Sequence, residues 1–276
     1  MIKEEYRLNN GACLQEFKSI SENGPLLVIA PGGGYYTLTD NEGTCVAEKF
    51  AEYGFRCFVL RYATADTQDP CGADVALNDM SAAVRMIRES DPAAPLFLLG
   101  FSAGGHLCAS FANVWKQEET KYGLLCDTLK PAGTVLCYPA LNFDRILHSY
   151  EDDELPDTIQ NKITVFQKLV RKGLAGNEET EADLSKFDVI QKVNSDTPPS
   201  FMWGTEEDEL IDPETLYQYQ KALKKYGTEC VLTLFEKGSH GLSLATKQSA
   251  YNEKMINDDV ASWVEEAAQW MKGKTV

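Results

Sequence analysis

Ser102 lies in the run Leu98-Leu99-Gly100-Phe101-Ser102-Ala103-Gly104-Gly105, an apolar strand followed by G-x-S-x-G and then a helix-forming stretch. A serine at that place is forced onto a tight turn between strand and helix. Its hydroxyl stands clear of the backbone, with the helix N-terminus beneath it. Gly100 and Gly104 carry no Cβ, which lets strand and helix approach closely around the turn. The chemistry this predicts is nucleophilic attack by an activated serine.

A serine hydroxyl needs a base to take its proton, and histidine is the usual choice because its pKa lies near working pH. The chain has three histidines. His106 is four residues past Ser102 on the same helix and points along it, so a structural role is expected. His148 falls in a weakly patterned segment and could at most touch substrate. His240 sits in Gly238-Ser239-His240-Gly241, a glycine-flanked loop straight after an apolar strand, and is the base by elimination and position. An acid must then fix the imidazole's tautomer. The window is Thr205-Glu206-Glu207-Asp208-Glu209-Leu210-Ile211-Asp212, just after the strand Phe201-Met202-Trp203. Asp208 is favoured, with Leu210 and Ile211 anchoring the turn behind it. Glu207 is the nearest rival. Asp212 is a weaker one, because it looks like the N-cap of the next helix.

A tetrahedral intermediate also needs hydrogen-bond donors aimed at its oxyanion. Pro31-Gly32-Gly33-Gly34-Tyr35 can supply them, since three successive glycines let backbone N–H groups turn inward. Gly33 and Gly34 are the expected donors, with the Ala103 N–H as the third. No Lys-Ser/Thr follows the glycines, which argues against a nucleotide phosphate loop. Tyr35 and Tyr36 are expected to contact substrate; they, Tyr138 and Trp203 lie near strand ends, where aromatic faces could line a small pocket or simply pack.

These residues must be carried by a scaffold. Apolar strands alternate with amphipathic helices, the mark of an α/β domain with a mostly parallel sheet covered on both faces. Strands are expected at 25–30, 55–62, 96–99, 134–138, 200–203 and 230–235, with antiparallel edge strands within 6–20 joined by a turn at Asn9-Asn10-Gly11. Helices are expected near 42–53, over Leu77, Met80, Val84 and Ile87, from Ala103 to about Trp115, from Pro213 to Tyr226, and through Ile256, Val260, Trp263, Ala267 and Trp270. The stretch from about 142 to 195, with the acidic run Glu151-Asp152-Asp153-Glu154, is longer than a crossover needs. It reads as an insertion over the sheet's C-terminal edge, partly a lid, within a single domain spanning 1–276.

Size and charge narrow the function classes. The 276 residues suffice for one large α/β domain with a well-buried core. With 26 Lys and Arg against 42 Asp and Glu, the net charge of −16 disfavours nucleic acid and anionic membranes as partners. The N-terminal residues lack the apolar core of a secretory signal, and no apolar run approaches a membrane span. None of the eight cysteines forms a C-x-x-C pair, so they read as buried free thiols in a reducing cytosol. Oligomeric state stays open, a homo-oligomer included.

Together, Pro31 to Tyr35, Gly100 to Leu107, Thr205 to Ile211 and Gly238 to Gly241 resemble the α/β-hydrolase fold. More narrowly they are similar to the esterase branch related to hormone-sensitive lipase, with acetyl-xylan-esterase-like and other small carbohydrate esterases as near relatives. The resemblance implies a three-layer sandwich around a sheet of about eight strands, Ser102 as nucleophile, Asp208 as acid, His240 as base and the glycine loop as oxyanion hole. It implies hydrolysis of carboxylic esters with no cofactor and no metal. Pro31 stands where the lipase branch usually has histidine, a variant found among carbohydrate-esterase-like members. Asp212 stands where a proline often follows the acid's turn. The expected activity is removal of short acyl groups, acetyl above all, from a small or carbohydrate ester. The competing readings are an amide- or peptide-cleaving α/β hydrolase and a binding protein that kept the fold and lost the chemistry.

Overall fold

A computed structural model describes residues 1–8, 11–124, 127–148, 157–176 and 184–275. The acidic run 151–154 and Asn9-Asn10 of the expected turn lie outside the described residues, as does the side chain of His148. Eight strands form one sheet: β1 (Ile2–Arg7), β2 (Cys13–Phe17), β3 (Leu26–Ala30), β4 (Arg56–Arg61), β5 (Leu96–Phe101), β6 (Gly133–Cys137), β7 (Ser200–Thr205) and β8 (Cys230–Phe235). Their spatial order is β1-β2-β4-β3-β5-β6-β7-β8. The β1–β2 and β2–β4 pairs are antiparallel, and every other pair is parallel.

The helices α1 (Thr44–Glu52), α2 (Ala73–Ser90), α3 (Ala103–Tyr122), α4 (Phe143–His148), α5 (Asp157–Ala175), α6 (Pro213–Lys225), α7 (Asp258–Ala261) and α8 (Trp263–Gly273) cover both faces. The period-two alternation of the central strands divides the core. Leu26, Val28, Leu96 and Leu98 face α2, α3 and α6, packing with Met80, Val84, Leu107, Phe111 and Leu216. Leu27, Ile29, Phe97 and Leu99 face the other way, toward Val46 and Phe50 of α1 and Trp263, Ala267 and Met271 of α8. Trp203 and Trp263 stack across that second layer with ring centroids 5.4 Å apart. Each such buried large side chain contributes about 1.5–3 kcal/mol relative to exposure, so the central strands are held from both sides.

Register brings the strand ends level. Ala30 pairs with Gly100, Phe101 with Cys137, Cys137 with Trp203, and Thr205 with Phe235. The loops leaving β3, β5, β6, β7 and β8 therefore open at a common edge, where ligands gather in parallel sheets.

Several expected boundaries move, each for a local reason. The helix after Ser102 continues past Trp115 to Tyr122, where Gly123 ends it at φ 63°. β6 stops one residue before the expected Tyr138, whose φ of 37° leaves the extended region. The expected final helix is two. Ile256 precedes both, because the Asn257 side chain accepts from the Asp259 and Val260 N–H groups and starts α7 afresh. The first edge strand begins at Ile2 instead of Tyr6.

Candidate active site

Ser102 holds φ 49° and ψ −117° between β5 and α3, a strained backbone for a non-glycine residue. Its surroundings impose that turn. A Cβ at Gly100 would lie 2.2 Å from the Gly104 oxygen, and one at Gly104 would lie 2.0 Å from the Ala30 oxygen, so both positions admit only glycine. The Ser102 N–H donates to the Cys137 carbonyl at 3.0 Å, and the Ser102 carbonyl accepts from the N–H groups of His106 and Ala140, each at 3.0 Å.

The loop after β8 delivers His240. Thr205 Oγ1 donates to the Gly238 carbonyl at 2.6 Å, tying this loop to the end of β7. His240 Nε2 is then 3.0 Å from Ser102 Oγ, and Nδ1 is 2.9 Å from Asp208 Oδ2. The second oxygen of Asp208 accepts from the N–H groups of Leu210 and Ile211, both at 2.8 Å, which fixes the carboxylate in its turn. Both rival acids are engaged elsewhere. Glu207 accepts from the Gly238 N–H at 3.2 Å, while Asp212 caps α6 through the Glu214 N–H at 2.8 Å and pairs with Arg145. Burial pulls the His240 pKa down, but the hydrogen bond and charge of Asp208, with Glu42 and Glu209 nearby, outweigh it and hold the imidazole above its ordinary value.

Gly33, Gly34 and Ala103 all line a cavity of about 390 Å³ that also contains Ser102 and His240. Ala103 opens α3, so its N–H has no carbonyl one turn back within the helix. Gly33 and Gly34 have φ of 121° and 63°. In this conformation the Gly33 carbonyl turns away, accepting from the N–H groups of Tyr36 and Thr37, each at 3.1 Å. The cavity's far wall is apolar, built from Phe143 and Ile146 of α4, Phe166, Leu169 and Val170 of α5, and Leu210 with Ile211 after β7. Among the described residues no group of three His, Cys, Asp or Glu side chains is placed to hold a metal ion, and no helix is long and apolar enough to cross a membrane.

The two tyrosines expected at the substrate part company. Tyr36 lines the cavity, whereas Tyr35 is fully buried beneath it. The Tyr35 hydroxyl donates to His106 Nδ1 at 2.7 Å, because Nε2–H of that ring is committed to the Phe187 carbonyl at 2.7 Å. Tyr35 is therefore a packing residue, corrected from the expected substrate contact, and His106 has the structural place its helix position implied. Tyr138 and Trp203 also pack inward, with the Tyr138 ring set edge-on to His240 at 5.0 Å.

Sequence reading missed Glu42. It looked like the first residue of an ordinary amphipathic helix, and nothing in its neighbours marks it. In the structure it is 2% exposed and contributes to the cavity lining beside Ser102. Burial raises its pKa above the usual carboxylate range, while the Tyr138 hydroxyl, the Gly32 N–H and the nearby His240 partly offset the shift.

A strained serine elbow, a glycine loop and a histidine loop on a sheet of this order define a class, and comparison with known proteins agrees. The chain belongs to the α/β hydrolase fold family, whose model matches residues 27–244. It is 30% identical over 230 residues to endo-1,4-beta-xylanase B of Butyrivibrio fibrisolvens, covering 80% of this chain and 33% of that protein. It is 24% identical over 252 residues to an acetylxylan esterase of Xylanibacter ruminicola, covering 88% of this chain and 45% of that protein. The chain thus spans a third to somewhat under half the length of these relatives. Among solved structures, a sugar hydrolase from Lactococcus lactis superposes with a TM-score of 0.76 at 26% identity, over 98% of this chain and 97% of the other.

Proposed function

We propose that this chain is a serine carboxylic-ester hydrolase that removes short acyl groups, acetyl foremost, from a small or carbohydrate ester through an acyl-enzyme. The observation that carries the reading is the unbroken relay from Ser102 Oγ through His240 to Asp208, at 3.0 and 2.9 Å, in a cavity also lined by Gly33, Gly34 and Ala103, whose amides serve as the oxyanion donors in this scheme. Ser102 Oγ attacks the ester carbonyl carbon while His240 Nε2 takes its proton. Charge develops on the carbonyl oxygen, where the amides donate hydrogen bonds. The imidazolium, stabilised by Asp208, then gives its proton to the departing alkoxide. Water, deprotonated by the same nitrogen, releases the acid from Ser102.

The carbohydrate half of the reading leans on the relatives, which include an acetylxylan esterase and a sugar hydrolase. Within the stretch 142–195, α4 and α5 act as the lid in this scheme, since Phe143, Ile146, Phe166, Leu169 and Val170 wall the cavity that holds Ser102. A reducing, cytoplasmic location fits the seven described cysteines, all free thiols, with Cys57, Cys108 and Cys137 buried. The test is hydrolysis of p-nitrophenyl acetate and of acetylated xylo-oligosaccharides, together with fluorophosphonate labelling. Ser102→Ala should abolish all three. A wild-type protein inert to both esters and to the probe would overturn the reading.

A further inference from the structure

Glu42 touches both halves of the site. Its Oε2 accepts from the Gly32 N–H at 2.7 Å, and its Oε1 accepts from the Tyr138 hydroxyl at 2.7 Å. Gly32 immediately precedes the two glycines that line the cavity, and it lies so close to the elbow that a Cβ there would stand 3.0 Å from Ser102 Cβ. Tyr138 presents its ring edge-on to His240, and its hydroxyl accepts from the Ser243 N–H at 2.9 Å in the loop that carries His240. One carboxylate thus ties the oxyanion side to the base side.

We propose that Glu42 is a positioning residue for the hydrolysis put forward above: buried between Gly32 and Tyr138, it sets the orientation of the Gly33–Gly34 amides and of the His240 ring together. The inference rests on that reading of the site. The Gly32 N–H can only donate, and the Tyr138 hydroxyl, which already accepts from the Ser243 N–H, gives its proton to Glu42. An isosteric glutamine has one acceptor and one donor end. It keeps its oxygen on the Gly32 N–H and turns its NH2 toward the Tyr138 hydroxyl, which must then accept a second hydrogen bond and turn its own proton away, so the Tyr138 side loses the charged hold that sets the hydroxyl's orientation. Misplacement on the scale of an ångström costs on the order of 10²-fold in rate. The charge adds a second effect. The groups facing His240 are Asp208, Glu209, Glu42 and the Tyr138 ring, and the carboxylates favour the imidazolium.

The experiment compares wild type, Glu42→Gln, Tyr138→Phe and Ser102→Ala in steady-state hydrolysis of p-nitrophenyl acetate across pH. Glu42→Gln should lose roughly 10²-fold in kcat with KM within about twofold, and its acid limb of kcat/KM should move to lower pH as the imidazolium loses an anion. Tyr138→Phe, which keeps the aromatic packing, should lose kcat in the same sense with KM held. If both variants keep kcat within about twofold of wild type, or lose only thermal stability or only KM, Glu42 is structural and the proposal falls. Wild type failing against Ser102→Ala would instead sink the hydrolase reading itself, so the two failures are distinct.

Discussion

Replacing Asp208 with asparagine tests the relay at its most discriminating point. Asp208 divides its oxygens: Oδ1 accepts from the Leu210 and Ile211 N–H groups at 2.8 Å each, and Oδ2 faces His240 Nδ1 at 2.9 Å. An asparagine must keep its carbonyl oxygen on the two backbone donors. The reverse flip sets an NH2 group against two N–H groups and gives up two hydrogen bonds, each worth about 1 kcal/mol. The NH2 therefore faces His240, and Nδ1 can only accept. The imidazole is driven into the other tautomer, with its proton on Nε2 pointing at Ser102 Oγ, where it cannot receive the serine's proton. A wrong-tautomer triad of this kind costs roughly 10⁴ in kcat, or about 5.5 kcal/mol of transition-state stabilisation. Glu207 is the internal control. Among the described residues its hydrogen bond is from the Gly238 N–H, at 3.2 Å near the surface, so Glu207→Gln should stay within about threefold of wild type. Both variants would be assayed with p-nitrophenyl acetate at saturating substrate, with circular dichroism to check folding. A folded Asp208→Asn enzyme retaining more than roughly a tenth of wild-type kcat, or a Glu207→Gln enzyme falling as far, would refute the assignment.

Two further outcomes concern the scaffold. Burial pushes the His106 pKa down to about 4 from 6.5, despite the Phe187 carbonyl that accepts from the ring. A depressed folded-state value means its contribution is complete above pH 6.5 and disappears as pH falls toward 4, on the order of 3 kcal/mol in all; urea midpoints at pH 7.5 and pH 4.5 should show the loss, and an unchanged acid slope in His106→Gln would count against it. Gly104→Ala places a Cβ 2.0 Å from the Ala30 oxygen and 2.5 Å from the Pro31 oxygen, all unyielding backbone. It should cost roughly 3 kcal/mol or more, or abolish folding, whereas Gly273→Ala, with nothing within 4 Å, should leave Tm unchanged or slightly raised; equal Tm values for the two would contradict the elbow's steric account.

The central strands were legible because a strand buried on both faces writes an unbroken apolar run, as Leu26–Ala30 and Leu96–Phe101 do. Ser102 and His240 were legible because glycines flank them at places where the backbone must turn sharply. Asp208 needed more. Several carboxylates share its segment, and only the turn geometry separates the one facing His240 from those facing Gly238 or capping α6. Glu42 and Tyr35 were misread for a common reason. Both depend on contacts across distant chain segments, Glu42 with Tyr138 and Tyr35 with His106, and local pattern carries no trace of such partners. The split between α7 and α8 escaped because Val260, Trp263 and Ala267 keep helical spacing across the break; only the Asn257 cap betrays it.

The site separates reaction from selection. Every group assigned a step sits on a turn that the parallel strands hold in register: Gly33 and Gly34 after β3, Ser102 and Ala103 after β5, Asp208 after β7 and His240 after β8. The Ser102 turn is strained and Glu42 is a buried carboxylate, and both persist because neighbouring backbone and hydrogen bonds over-determine them. The apolar wall comes largely from α4 and α5, between β6 and β7, with Phe143, Ile146, Phe166, Leu169 and Val170. Substitutions in that wall should reshape the cavity with less effect on the relay, which is held by hydrogen bonds among Ser102, His240 and Asp208 and from the Leu210 and Ile211 N–H groups. Gly173 of α5 also meets the glycine loop. A Cβ there would stand 2.5 Å from the backbone of Tyr35 and Tyr36, so this helix position presses on the glycine loop and couples the wall to it.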